Sequence, residues 1–185
     1  MIINGFYAGI GARKAPKEVL EMMDEIAVRL KYENWILRSG GAEGSDSAFE
    51  SGVVDPAFSQ IFLPWKGFNN NDSMYFNYAD EHVELAKEFH PAWWNLTHGM
   101  RKMMVRNSAQ IIGVNTEPNS SFVICYTKDG KFSGGTGQAL RVADSMDIPI
   151  YNLHDKDVFN RFRSLMEGED RFLDMFDIKT DERAD

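Results

Sequence analysis

The sequence predicts an α/β fold: a Rossmann-like parallel sheet with helices on both faces and an aromatic-rich insertion after the third strand. Three observations carry this reading. Short apolar runs alternate with stretches of helical periodicity. Three glycine-rich turns, at residues 9–13, 39–46 and 133–137, each stand where a strand hands over to a helix. No internal repeat or low-complexity segment interrupts the alternation.

The elements follow in order. Residues 6–10 read as a first, buried strand. A helix is expected over 16–32, because Pro16 suits a helix start and Val19, Leu20, Met23, Ile26, Ala27 and Leu30 recur at helical spacing. Residues 35–38 form strand two, and a short helix over 45–52 opens on Ser45 or Asp46 as a cap. Strand three is 61–63, stopped by Pro64. The alternation then breaks. Residues 65–77, rich in Asn and aromatics, read as an irregular loop. Helices over 78–89 and 97–112 flank the break His90-Pro91-Ala92-Trp93-Trp94. Strand four is 122–126, a helix follows over 136–146, strand five is 148–151, and a last helix covers 158–165. Residues 1–166 make one domain, and 167–185 make an acidic tail or a docked amphipathic helix.

A chain of 185 residues with 43% hydrophobic and 26% charged residues suits one soluble domain with a sizeable core. No apolar run approaches the roughly 18–20 residues that span a bilayer. The N-terminus lacks a signal-peptide layout, so a cytoplasmic location is expected and no membrane partner. The one cysteine, Cys125, lies inside an apolar run and reads as a buried, inert thiol. The formal net charge is −8, of which residues 167–185 supply −5. Phosphate affinity comes mainly from Lys and Arg, which makes an acidic chain a poor general nucleic-acid binder. The local exception is Arg101, Lys102 and Arg106, in a segment free of acids from 96 to 116. His82, His90, His98 and His154 share no ligand spacing, so neither a metal site nor a cofactor is expected.

Parallel sheets bind ligands outside the carboxyl ends of their strands, where all three glycine turns fall. Glycine permits close backbone approach, and the helix that follows offers unpaired N–H groups to an anion. Gly9, Gly11, Gly40, Gly41, Gly44, Gly134, Gly135 and Gly137 are therefore candidate phosphate contacts as a set, although each alone reads as a tight-turn residue. Arg13 and Arg38 lie beside the first two turns, where a guanidinium can fork onto phosphate oxygens. Ser39, Ser45, Ser133 and Thr136 are candidate donors, with Ser45 equally an N-cap. Asp46 braces its loop, caps the helix or accepts from a ribose hydroxyl. Arg106 and Asn107 add candidate phosphate ligands from the 97–112 helix. Trp65 and Trp93, beside the insertion with Phe68 and Trp94, are candidate base-stacking residues. Glu43 and Asp46 stand three apart, and paired carboxylates can stabilise an oxocarbenium ion during N-glycoside cleavage.

Residues 38–48, Arg38-Ser39-Gly40-Gly41-Ala42-Glu43-Gly44-Ser45-Asp46-Ser47-Ala48, resemble the SGxAxGxDxxAH signature of DNA-processing protein A, the Smf family. They also resemble the broader SLOG superfamily that joins it to the Lonely Guy enzymes. Ala8-Gly9-Ile10-Gly11-Ala12-Arg13 is similar to the family's first GxR strand and loop. His90-Pro91 with Arg106-Asn107-Ser108-Ala109-Gln110 is similar to its FPxRNRxI stretch, and Ser133-Gly134-Gly135-Thr136-Gly137-Gln138-Ala139 to its SGTxxTA loop. The match runs in order over residues 5–153. It implies a compact core that binds a small nucleotide or nucleotide-derived phosphate ligand. Two alternatives come with it: a hydrolase of nucleotide N-glycosidic bonds like the Lonely Guy phosphoribohydrolases, and a single-stranded-DNA accessory protein of recombination. The Lonely Guy enzymes use the Arg of an RK pair and the Glu of GGxGTxxE. Arg101-Lys102 matches the first element, but Arg141 stands at the Glu position and Gln138 at the Thr position. The implied catalytic set is therefore Glu43, Asp46 and Arg101. The acidic balance disfavours the DNA alternative. Superfamily members commonly pair, so a homodimer is expected, with Met100, Met103, Met104 and Val105 serving either that contact or the core. Compact members occur in phages, and for such a member the location is the host cytoplasm.

Overall fold

The computed structural model describes residues 3–114, 117–168 and 176. Five strands form one parallel sheet in the order β3-β2-β1-β4-β5. They are β1 (Gly5–Gly11), β2 (Trp35–Ser39), β3 (Ser59–Ile61), β4 (Phe122–Tyr126) and β5 (Ile150–Asn152). The helices are α1 (Lys17–Tyr32), α2 (Ser45–Gly52), α3 (Asp80–Phe89), α4 (His98–Ile112), α5 (Gly134–Ser145) and α6 (Lys156–Met166). The expected α/β architecture, with helices on both faces of a parallel sheet, is the one observed.

Side-chain alternation along the strands sorts the two layers. Tyr7, Leu37, Phe122 and Ile124 point to one face and pack against α1, Phe49 of α2 and Phe162 of α6. Ala8, Ile10, Val123 and Cys125 point to the other and meet Ile111 of α4 and the apolar stripe Ala139, Leu140, Val142 and Ala143 of α5. Burial on both faces is why these strands read as continuous apolar runs. Phe176 stacks on Phe122 with ring centroids 4.0 Å apart. Apart from this residue and 167–168, the expected tail lies outside the described residues. Cys125 is fully buried, and burial pushes its thiol up, as an inert core thiol requires.

Two strands sit differently from expectation. Strand β3 begins at Ser59, two residues early, because polar Gln60 faces a buried partner rather than solvent. Strand β5 begins at Ile150, not 148: Pro149 has no N–H for the ladder, and only its carbonyl takes part, accepting from Val123 at 2.8 Å. The insertion is irregular as expected, with short 3₁₀ turns at Phe68–Asn70 and Trp93–Asn95. Phe68 packs on Ala42 and Leu63, which docks the insertion over the end of β3. Met104 and Val105 are buried against Ala86 and Trp93, so they serve the core.

Arg38 requires a correction. It is fully buried and donates to Gln60 Oε1 at 2.9 Å, to the Pro118 carbonyl at 2.9 Å and to Glu117 at 3.4 Å. Burial pulls its pKa down to about 10, so it stays charged at neutral pH. It ties β2 and β3 to the segment before β4 and does not face a ligand site. Among the described residues no helix is long and apolar enough to cross a membrane.

The core makes a direct prediction. Phe49 is fully buried and meets Tyr7 edge-on at 6.4 Å. Phe49→Ala should lower unfolding free energy by about 3–5 kcal/mol in urea titrations. A loss below about 1 kcal/mol would contradict this packing.

Candidate functional site

Strand order reverses between β1 and β4: the chain builds outward through β2 and β3, then returns to the other side of β1. Loops diverge at such a point and leave a crevice. A cavity of about 400 Å³ opens there. Residues 10–13 at the end of β1 and just past it, Thr127 and Lys128 after β4, and Ser133 to Thr136 at the start of α5 form its walls. Ala42, Asp46 of α2 and Met103, Met104, Arg106, Asn107 and Gln110 of α4 complete it. The volume lies within the usual range for small-molecule sites.

Local chemistry fixes these walls. The Ala12 N–H donates to the Tyr126 carbonyl at 2.9 Å and holds the ends of β1 and β4 together. Ser45 Oγ donates to the Ala12 carbonyl at 2.9 Å and anchors α2 to the first turn. Gly44 has φ 85°, and a Cβ there would overlap the backbone of Arg13, so the close approach of the two turns requires glycine. Asn107 Nδ2 donates to the Gly135 carbonyl at 2.7 Å, linking α4 to the first turn of α5. Ser133 spends its hydroxyl on Asp129 at 2.8 Å and makes no cap, so the N-terminal amides of α5 have no side-chain partner among the described residues. Those amides carry the positive end of the helix dipole.

Beneath the cavity lies a buried ion pair. Arg106 Nη1 donates to Asp46 Oδ2 at 3.2 Å, and both side chains are 5% exposed. The Arg106 Nε has no partner among the described residues. A Cβ on Gly40 would overlap the Arg106 guanidinium, so this glycine makes room for the pair. Burial pushes the Asp46 carboxyl up, and Arg106 opposes that shift. Glu50, on the next turn of α2, accepts from the Gly41 N–H at 2.9 Å. Burial, and then the charge of Asp46, raise its pKa to about 7. The cavity thus presents three cations, Arg13, Lys128 and Arg106, against one carboxylate that is already paired.

Of the residues expected from sequence, Gly11, Arg13, Asp46, Arg106, Asn107, Ser133, Gly134, Gly135 and Thr136 come together around this cavity. The others do not line it. Gly9 packs against Phe49 and Leu37, Gly137 against the Phe132 backbone, and Gly41 against Leu63. Gly40 and Gly44 shape the floor from behind, Ser39 is fully buried, and Ser45 is bonded to Ala12. The expected catalytic set is not assembled. Glu43 is exposed and away from the cavity. Arg101 lies in a second cavity, donating to the carbonyls of Trp93 and Trp94 at 3.3 Å each. Trp65 and Trp93 line that second cavity too, and Trp93 is only 6% exposed. Arg141, at the Lonely Guy glutamate position, donates to the Phe89 and Phe132 carbonyls and holds loops together. Sequence reasoning missed Lys128, Thr127, Gln110 and Glu50. The switch-point rule itself flags Thr127 and Lys128, the two residues that follow β4. Among the described residues no group of three His, Cys, Asp or Glu could hold a metal ion.

No protein-family model and no curated protein matches this sequence. Among solved structures the chain is similar to DNA processing protein A from Helicobacter pylori, a structure described for its single-stranded DNA binding mode. The TM-score is 0.53 with 14% identity, over 90% of this chain and 82% of that one. At this identity the likeness shows a shared fold of the DNA-processing protein A type.

The raised pKa of Glu50 gives a pH prediction with a definite sign. The neutral acid is favoured in the fold, so Glu50 costs nothing at low pH. Its penalty grows as pH rises from the ordinary value of 4.5 and is complete above about 7. Glu50→Gln removes that penalty. Its stability relative to wild type should rise between pH 5 and pH 8 by roughly 2–3 kcal/mol in denaturant titrations, the size of such a shift. A pH-independent difference would contradict the buried placement.

Proposed function

We propose that this chain binds a phosphate-bearing nucleotide in the switch-point cavity. The observation that carries the reading is convergence: Arg13, Arg106 and Lys128 meet the uncapped start of α5 around one cavity, while the single carboxylate there is satisfied by Arg106. Guanidinium groups and helix N-termini are the ordinary means of holding phosphate oxygens. Thr127, Ser133 and Thr136 supply hydroxyls, and Met103 and Met104 supply an adaptable apolar wall against a base or sugar.

Single-stranded DNA is the second reading. The fold shared with DNA processing protein A from Helicobacter pylori supports it, and an internal phosphodiester presents oxygens to the same cations. The net charge of −8 works against broad DNA affinity, though −5 of it is carried by residues 167–185. The N-glycosidase alternative draws less support, because Asp46 alone of Glu43, Asp46 and Arg101 lines the cavity.

Thermal shift with AMP, ADP and adenosine tests the reading. A ligand that binds only the folded state raises its stability by RT ln(1 + c/Kd) at free ligand concentration c. AMP or ADP should stabilise the protein where adenosine does not. Arg13→Ala with Lys128→Ala should weaken that binding by about 100-fold or more, since each of the two charged hydrogen bonds contributes about 1.5–3 kcal/mol. Equal stabilisation by adenosine, or an unchanged response in the double variant, would overturn it.

A further inference from the structure

The second cavity, about 640 Å³, lies on the opposite side of α4 from the first. Its helix residues are His98, Arg101, Lys102 and Val105, whereas Met103, Met104, Arg106, Asn107 and Gln110 line the phosphate cavity. At about 100° per residue the two sets centre on opposite sides of the helix, and the two cavities share no lining residue.

The chemistry of this basin is not that of a packing defect. Trp94 is 73% exposed and Trp65 is 40% exposed. Lys87 lies 5.6 Å from the Trp94 ring centre, and Arg101 lies 5.5 Å and 5.8 Å from those of Trp93 and Trp94. Lys66 and Lys102 also line the basin, and neither forms an ion pair with a described residue. Against these four cations stands one carboxylate, Glu84, which Lys87 holds at 3.1 Å. Exposed indole faces beside unpaired ammonium groups suit a planar ring that carries negative charge next to it.

We propose that this basin is a second nucleotide site, in which Trp94 stacks a nucleobase and Lys66 and Lys102 meet the adjoining phosphate. It stands on residues separate from those of the phosphate cavity. Arg101, bonded to the backbone of Trp93 and Trp94, is the positioning residue that presents the indole. The base and phosphate come either from a free nucleotide or from one unit of a single strand.

Tryptophan fluorescence distinguishes the sources and tests the site. Three of the four tryptophans line the basin, and the fourth, Trp35, is buried in the core. Wild-type protein is titrated with AMP and with a short single-stranded oligonucleotide. Quenching by both assigns a free-nucleotide site; quenching by the oligonucleotide alone assigns a strand site. In either case Trp94→Ala should weaken binding at least tenfold while Trp94→Phe retains most of it, because stacking needs a ring and not an indole N–H. Lys102→Glu should weaken binding and flatten its salt dependence. Arg13→Ala should leave the quenching in place, which separates this site from the phosphate cavity. Trp94 and Lys102 are exposed, so these variants keep the fold. No quenching by either probe, or Trp94→Ala titrating like wild type, would overturn the proposal.

Discussion

The buried pair between Asp46 and Arg106 is the constraint on which the carboxyl edge of this sheet depends. It links residues 60 apart and joins α2 on one face to α4 on the other. A pair this deep adds little net stability, because desolvation offsets most of its attraction. Removing one partner is different: a stranded buried charge costs about 3–5 kcal/mol. The pair therefore acts by position. It sets the depth of α4 over the sheet, requires a glycine at Gly40, and leaves the Arg106 guanidinium at the cavity wall with its Nε unpartnered among the described residues.

This arrangement makes a local positive field in an acidic protein. The neutralising carboxylates are either paired, as Asp46 is, or held toward the neutral form, as Glu50 is near pH 7. Arg38, the other buried guanidinium, is drawn away to Gln60 and Glu117 on the far side of β2 and adds nothing to the cavity. Net charge is then a poor guide to what the carboxyl edge attracts. The distribution matters, and α4 carries cations toward two cavities on its two faces.

Much of the fold was legible in the sequence because its signals are local. The apolar runs of β1, β2 and β4 and the glycines after them marked the strand ends, and helix periodicity marked α1 and α4 almost to the residue. What stayed hidden depends on distant partners. Gln60 looked like loop because a buried polar side chain in a strand makes sense only beside Arg38 and Glu117. Arg38 and Arg106 read alike as cations near glycine turns, yet one is a core tie and the other a cavity wall. Trp93 and Trp94 are adjacent, and only the turn that Arg101 fixes decides which ring is buried. The grouping of Glu43, Asp46 and Arg101 rested on the spacing of the two carboxylates and, for Arg101, on a resemblance in motif order, and neither carries information about where side chains point.

Amide chemical shifts, followed by NMR while AMP and then adenosine are added, test the central claim most directly. The account predicts that AMP perturbs a contiguous set at residues 11–13, Lys128 and the first turn of α5, and that adenosine leaves that set largely unmoved. An AMP response confined to α1 and α6, or one that adenosine reproduces in full, would contradict a phosphate site at the junction of β1 and β4.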